Sequence, residues 1–386
     1  MKEGWTYKKL GEVARVQNGY AFDSKLFNEN GNGTPLIRIR DIKRNHTYTY
    51  TTEDCSKEFF IENGDLLIGM DGDFNVCTWE GGHAYLNQRV CHVIPSNQVI
   101  AKFIYYLLPF PLKRINDKTT FATVKHLSSK QVGNIMMPVP SLDEQQRIVE
   151  RLDSAFENID KLKANAEKQL SEARILFQKS LAKAMKPKEG WEERLLSEIV
   201  HPNCSLSYGI VQPGDHVENG IPVVRPVDFN NQLYVKMDGL KRTKPEIADA
   251  YQRTILKGGE ILLCVRGTTG TMGIASDELI GCNVTRGIVP IYFDVEVCTK
   301  FVYYELLSPS LQDEIAHKTT GAALKQINIK DLRNLHMSIP PLAEQQRIIE
   351  RLDSLSENVR KYEEIQRQII SECDALKQAL LRKVFE

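Results

Sequence analysis

The chain has 386 residues, 42% of them hydrophobic and 26% charged, and its 50 basic side chains balance 50 acidic ones. That composition excludes a disordered or fibrous chain and leaves room for two or three domains, each large enough for its own core. Residues 1–140 carry 17 basic and 14 acidic side chains, and residues 187–340 carry 16 and 19, so neither stretch has the basic excess usual in a nucleic-acid-binding domain.

The start, MKEGWTYKKLGEV, has no apolar h-region, and no run approaches 18 apolar residues. Neither secretion nor membrane insertion is expected, and the expected compartment is the cytoplasm. The eight cysteines form no C-x-x-C pair and no spacing with histidine typical of zinc, which fits reduced structural thiols and no metal site.

Residues 1–140 read as a mixed α/β domain. Extended runs are predicted at 35–40, 65–69 and 89–94, separated by clusters of Gly, Asn and Asp. A helix is predicted from Lys102 to about Leu108, resuming after Pro109–Pro111, and a short helix or turn over 126–133. Met136-Met137-Pro138-Val139-Pro140 gives an extended entry that stops the preceding element.

A long helix is then predicted over 141–187. Ser141 with Glu144 three residues on is a capping box. Ile148, Leu152, Ala155, Ile159, Leu162, Ala166, Leu170, Ala173 and Phe177 alternate three and four apart, the spacing of a coiled-coil seam. At 1.5 Å per residue, some 44 residues make a rod of roughly 66 Å.

The remainder repeats this plan. Glu344–Ser354 reads EQQRIIERLDS against EQQRIVERLDS at Glu144–Ser154, one difference in eleven positions at a separation of 200. Lys188-Glu189-Gly190-Trp191 matches Lys2-Glu3-Gly4-Trp5, and Gly220-Ile221-Pro222 echoes Gly33-Thr34-Pro35. The offset between copies grows from 186 at the tryptophans to 200 at Lys318-Thr319-Thr320, so all length variation falls in the globular parts. A second domain is therefore expected over 188–340 and a second long helix over 341–386, with Ile348, Leu352, Leu355 and Val359 on its seam.

A helix of this length with one apolar seam would leave that stripe in water if it stood alone. The other helix of the same chain is the nearest partner, and chain order favours antiparallel pairing. Two similar but unequal heads held apart by such a rod suit a bipartite target. Read from the residues alone, the heads could bind DNA, or they could bind protein in a coiled-coil adaptor.

The duplicated Glu-Gln-Gln-Arg-Ile-[Val/Ile]-Glu-Arg-Leu-Asp segment behind two globular domains resembles the specificity (S) subunit of type I restriction-modification enzymes, over the whole chain. The resemblance implies an α+β fold with two α/β target-recognition domains, separated by a pair of long antiparallel helices forming a coiled coil with a pseudo-twofold internal repeat. It implies a subunit that catalyses nothing, whose domains each read one half of a split double-stranded DNA target. Two copies of a methyltransferase (modification) subunit would dock on the helices, and restriction subunits would join through that complex. No cofactor is expected on this chain; S-adenosylmethionine, ATP and Mg would sit on the partner subunits. Departures between the copies include Phe121, which stands where the second has Gly321, and Asp71-Gly72, which stands where it has Arg266-Gly267.

Base edges are read by side chains that fork, mainly Arg, Lys, Asn and Gln, held on loops. In the first domain the candidates are Arg38, Arg40, Lys43, Arg44, Asn75, Gln88 and Arg89, with Lys118, Thr119, Thr120 and Lys125 suited to phosphates. In the second they are Arg225, Arg266, Thr268, Thr269 and Arg286, with Lys318, Thr319, Thr320, Lys325 and Gln326. Repetition of polar residues on the helices exceeds what solubility requires. Glu144, Gln145, Gln146, Arg147, Glu150 and Arg151, repeated as Glu344, Gln345, Gln346, Arg347, Glu350 and Arg351, are candidates for partner docking.

Enzyme readings find no support in the motifs. The Pro-Pro pair, Pro340-Pro341, follows Ile339 and precedes Leu342, unlike the Asn/Asp-Pro-Pro-aromatic centre of a DNA methyltransferase. The Gly-rich run Arg266–Gly273 has no Gly-Lys-Ser/Thr, so it is no phosphate-binding P-loop. No catalytic residue is proposed.

Overall fold

The computed structural model describes residues 4–118, 126–229, 233–321 and 325–385. They form two compact units, residues 1–165 with 369–386, and residues 166–368. The expected boundaries at 140, 187 and 340 follow the repeat; the units instead divide both long helices. Each unit thus combines one globular domain with helical segments from both repeats.

In the first unit a four-stranded antiparallel sheet has the order Ala14–Asn18, Val90–Pro95, Leu66–Gly69, Val76–Thr78. Successive side chains of a strand point to opposite faces, and here both faces are covered. Leu66 and Ile68 enter one core with Phe103 and Ile104 of the helix Ala101–Leu107. Leu67 enters another with Trp79, Ile61 and Val90. This explains why Leu66-Leu67-Ile68 is apolar throughout rather than alternating. The second unit repeats the arrangement: Ile261 and Leu263 face one core, and Leu262 and Cys264 the other.

The run from Pro35 is extended only to Ile37, the end of the strand Thr34–Ile37; Ile39–Asp41 form a tight 3-10 turn. The cause is local. The Asp41 carboxylate accepts the Arg38 N–H at 2.8 Å, and Asp228 accepts the Arg225 N–H at the same distance in the second unit. Gly33 and Gly220 precede these strands because a Cβ would lie 2.1 Å from the Thr51 carbonyl oxygen and 2.2 Å from that of Thr243. Antiparallel pairing of Thr6–Lys9 with Met136–Val139, and of Glu192–Leu195 with His336–Ile339, closes each domain just before its long helix.

The long helices are uninterrupted, Leu142–Ala184 with 43 residues and Leu342–Phe385 with 44. Ser141 does cap the first, accepting the Glu144 N–H at 3.4 Å. Within the first unit the two helices run antiparallel: Lys163 pairs with Asp374 and Asp160 with Lys377. Within the second unit Arg174 pairs with Glu363, and the Tyr362 hydroxyl donates to Gln169.

Of the residues placed on the seam, Ile148, Leu152, Ile159, Ile348 and Leu352 are buried, Ile148 and Leu152 within the first unit's core and Ile348 and Leu352 within the second's, and Leu355 and Val359 are half-buried. Leu162, by contrast, is 50% exposed. At 100° per residue, positions 162 and 163 lie equally far, about 50°, from the line through Ile159 and Ala166. Spacing therefore cannot choose between them. Lys163 takes the inward place because its stem packs there while its ammonium reaches Asp374, and Glu363 does the same opposite Arg174.

One interior carboxyl breaks the repeat. Glu305 is 2% exposed where the first domain has Leu107; one carboxyl oxygen accepts the Ser338 N–H and the other has no partner among the described residues. Burial pushes its pKa up to about 8, against the lowering effect of that hydrogen bond. Glu305 is then protonated in the native chain at neutral pH but ionised once unfolded.

Two outcomes follow for stability in urea. Leu152→Ala costs about 2–5 kcal/mol, whereas Leu162→Ala costs less than about 0.5 kcal/mol. The Glu305 proton is held in the native state and released on unfolding, so stability declines as pH rises from about 4.5 to about 8. Glu305→Gln removes that decline, and an unchanged pH slope in this variant contradicts the assignment.

Candidate nucleic-acid interface and docking face

In the second unit the backbone gathers the candidate loops. Gly267 N–H donates to the Lys325 carbonyl at 2.8 Å, and Thr320 and Gln326 exchange both backbone bonds at 2.8 Å. Val265 N–H bonds the Gly287 carbonyl, which draws in the turn bearing Arg286. Arg266, Thr269, Thr319, Thr320, Lys325 and Gln326 therefore share one surface, with Thr268 exposed on the turn between. Arg266, Arg286 and Lys325 make no ion pair with the described residues. Their charges remain available for an anionic partner.

Two candidates are less free. Arg225 closes its fork on Asp228 with bonds of 3.1 and 2.7 Å, and that bond raises the guanidinium pKa further. Lys318 leans on Glu314 at 3.4 Å.

The first unit presents a different surface at the corresponding place. Asp71 stands where the second has Arg266, and His126 where it has Gln326. The Asp71 carboxylate lies 2.7 Å from His126 Nδ1 and 3.6 Å from the Arg89 guanidinium. Asp73 holds Lys43 at 2.9 Å, and Asn116 donates to the Gly72 carbonyl at 3.0 Å. Sequence reading selects Arg89 and Lys43 and marks Asp71 only as a departure between the copies; it passes over Asp73, Asn116 and His126, and the offset between copies, which sets His126 opposite Gln326, is the signal that finds His126. Arg38 lies over the Phe27 ring at 5.6 Å, and Arg40 bonds Thr49 at 3.0 Å and leans on Glu29 at 3.6 Å. These partners are separate from those of the Asp71 cluster. Arg44, Gln88 and Lys118 are exposed, and Asn75 is half-buried with its carbonyl on the Gly69 N–H. Thr119, Thr120 and Lys125, like Phe121, lie outside the described residues.

The duplicated helix motif divides into two faces. Gln145 and Gln345 are completely buried, which removes them from the docking candidates. Gln145 accepts the Ile100 N–H at 2.9 Å and donates to the carbonyls of Gln98 and Pro140; Gln345 accepts the Cys298 N–H at 2.8 Å and donates to those of Glu296 and Pro340. Each amide is saturated by backbone that ends a strand or starts a helix. Two turns on, Asp153 takes Lys102 at 2.8 Å and the Tyr106 hydroxyl, and Asp353 takes Lys300 at 2.8 Å and Tyr304 at 2.7 Å. Burial, and then the bond to the carboxylate, raises both tyrosine pKa values, so each hydroxyl stays a donor.

Gln146, Arg147, Glu150 and Arg151 face solvent, as do Gln346, Arg347, Glu350 and Arg351. Their contacts within the chain are short-range helical ones, such as Gln146–Glu150 at 2.9 Å and Arg147–Glu144 at 3.3 Å, worth only tenths of a kcal/mol. Glu344 differs from Glu144: Lys188 holds it at 3.0 Å and lowers its pKa. In the first unit Arg147, Glu150 and Arg151 border an open groove of about 760 Å³ shared with Leu380, Lys383 and Val384.

No group of three or more His, Cys, Asp or Glu side chains among the described residues is placed to hold a metal ion. No helix among them is long and apolar enough to cross a membrane.

A family model described as "Type I restriction modification DNA specificity domain" matches the chain twice, at residues 2–172 and 188–369. The chain is 31% identical to the EcoBI specificity subunit of Escherichia coli, over 99% of its own length and 86% of that protein's. It is 23% identical to the MjaVIII specificity subunit of Methanocaldococcus jannaschii, over 94% and 89%. Among solved structures, a chain from a study of assembly and conformational transition of the type I R-M system superposes with a TM-score of 0.78 at 21% identity, covering 100% of this chain and 98% of that one. The HsdS subunit from Thermoanaerobacter tengcongensis gives 0.59 at 20% identity, covering 100% and 97%. At such identities these two speak for the fold.

The buried amides give a sharp expectation. Gln345→Ala leaves the Cys298 N–H and two carbonyls without their partner and costs about 1–3 kcal/mol, whereas Gln346→Ala stays within about 0.5 kcal/mol. Equal stabilities in thermal unfolding would contradict the division of the motif.

Proposed function

The chain belongs to the family of type I restriction-modification DNA specificity subunits, and on that footing we propose that its two recognition domains read the two halves of a split double-stranded DNA target. The family is non-catalytic, so the role of this chain is recognition and assembly. The observation that carries the reading is a contrast between two surfaces. The solvent side of the helix motif is repeated residue for residue, Gln146, Arg147, Glu150 and Arg151 against Gln346, Arg347, Glu350 and Arg351. The loop clusters differ in charge, Arg266 against Asp71. Identical faces suit two copies of one partner; dissimilar loops suit two different sequences.

The partner at the repeated faces is a methyltransferase subunit, one copy at each, and restriction subunits join through that complex. S-adenosylmethionine, ATP and Mg belong to those subunits, and the assembly works in the cytoplasm on the cell's DNA. In the second domain Arg266, Arg286 and Gln326 suit base edges, while Lys325 with Thr319 and Thr320 suits phosphates. In the first, Arg89, Lys43 and Gln88 serve, with Asp71 and Asp73 holding the cations in place until DNA competes for them. The paired helices set the gap, since DNA rises about 3.4 Å per base pair.

Reconstitution with the methyltransferase partner tests this. Two copies per chain and sequence-selective DNA binding that weakens steeply with salt are expected. Arg147→Glu with Arg151→Glu leaves one copy. Arg266→Ala in the intact complex costs about 1–3 kcal/mol of binding to the specific target. Binding without sequence preference, or two bound copies in the double variant, would overturn the proposal.

A further inference from the structure

The long helices share a motif but not their flanking charges. In the first unit the Lys163 ammonium of the first helix meets Asp374 of the second at 2.8 Å. In the repeat, Lys163 corresponds to Glu363 and Asp374 to Arg174. Those two residues meet in the second unit, also at 2.8 Å, with the polarity reversed. The same contact is made once as Lys–Asp and once as Glu–Arg.

Other contacts across the helix pair are unlike as well. Lys377 meets Asp160, where the equivalent residues are Phe177 and Arg360. The Tyr362 hydroxyl donates to Gln169 at 2.9 Å, where the equivalents are Leu162 and Ile369. The apolar positions discriminate little, because Ile159 and Val359, or Ala173 and Cys373, are similar in kind.

A second copy of the chain offers like helices as partners. In the same antiparallel register, two first helices set Lys163 against Arg174 twice and strand Asp160 opposite Phe177. Two second helices set Glu363 against Asp374 twice and Arg360 against Lys377 twice. We infer that the flanking charges restrict this seam to unlike partners: a first-repeat helix accepts a second-repeat helix, from its own chain or from a copy, and rejects another first-repeat helix.

Converting two unlike pairs into one of each like pair gives up four attractive contacts and creates four repulsive ones at the Lys163–Asp374 and Glu363–Arg174 sites. Each is weak because part of every side chain is solvated, yet all act in one direction, for a bias on the order of a hundredfold. The consequence is that a complex always contains one head of each kind.

The test uses the full chain with a protease site set in the exposed segment 186–190 and cut after folding. Two batches with first-repeat fragments of different mass are mixed, unfolded in urea, refolded together and weighed by native mass spectrometry. Wild type yields first-with-second pairs only. Lys163→Glu combined with Asp374→Arg keeps every pairing within the chain attractive but makes each helix complementary to itself, so like pairs rise toward the statistical proportion. Like pairs at that proportion in wild type, or absent from both samples, overturn the inference. In the uncut chain Lys163→Glu lowers the melting temperature and Asp374→Arg restores it; failure of the second change to restore it also counts against the inference.

Discussion

A helix of more than forty residues with one apolar stripe is not stable alone in water, and the rest of this chain's organisation depends on how that stripe is covered. Within each unit, segments of both long helices lie antiparallel, so each compact unit needs material from both repeats. Domain and spacer are thus not separable parts. The first domain's core takes in Leu381 from near the end of the chain, and the second takes in Leu181 and Met185 from the end of the first long helix.

The joint between domain and helix is polar, saturated and repeated. Gln145 and Gln345 tie the first helical turn to the backbone around Ile100 and Cys298. Asp153 and Asp353 tie the third or fourth turn to a Lys–Tyr pair on the helix packed beneath. A buried amide or carboxylate in such a place is costly if any partner is lost, so these bonds fix the direction in which the helix leaves its domain. Fixing that direction on one face leaves the opposite face of the same motif, Gln146, Arg147, Glu150 and Arg151 and their counterparts, exposed to solvent, where the proposed docking would take place.

The scaffold is largely legible in the sequence. Offsets between the copies reveal the repeat, Ser141 marks the start of the first helix, and most residues picked out by the three-and-four spacing are buried or half-buried. Leu162 escapes because helical geometry places 162 and 163 equally well and only the identity of the opposite residue, Asp374, decides. Gln145 passes for a surface residue because its polar type suggests exposure, and no local pattern reveals that the Ile100 N–H waits for it. In the loops the limit is sharper. That Asp71 gathers Arg89 and His126 depends on segments distant in sequence meeting in space, and that Asp228 closes the Arg225 fork depends on the turn between them. Residue type can nominate a base-reading arginine, but only the folded contacts tell whether its charge is already spent.

Two units unlike in their loops, each completed by the other repeat's helix, support the proposal that the chain reads two different half-targets. Mapping the methylated positions in DNA from cells that express this chain with its methyltransferase partner tests that claim most directly. The account predicts a bipartite target whose two halves differ and are separated by a constant, unread gap. A continuous target, or two identical half-sites in inverted repeat, would contradict it.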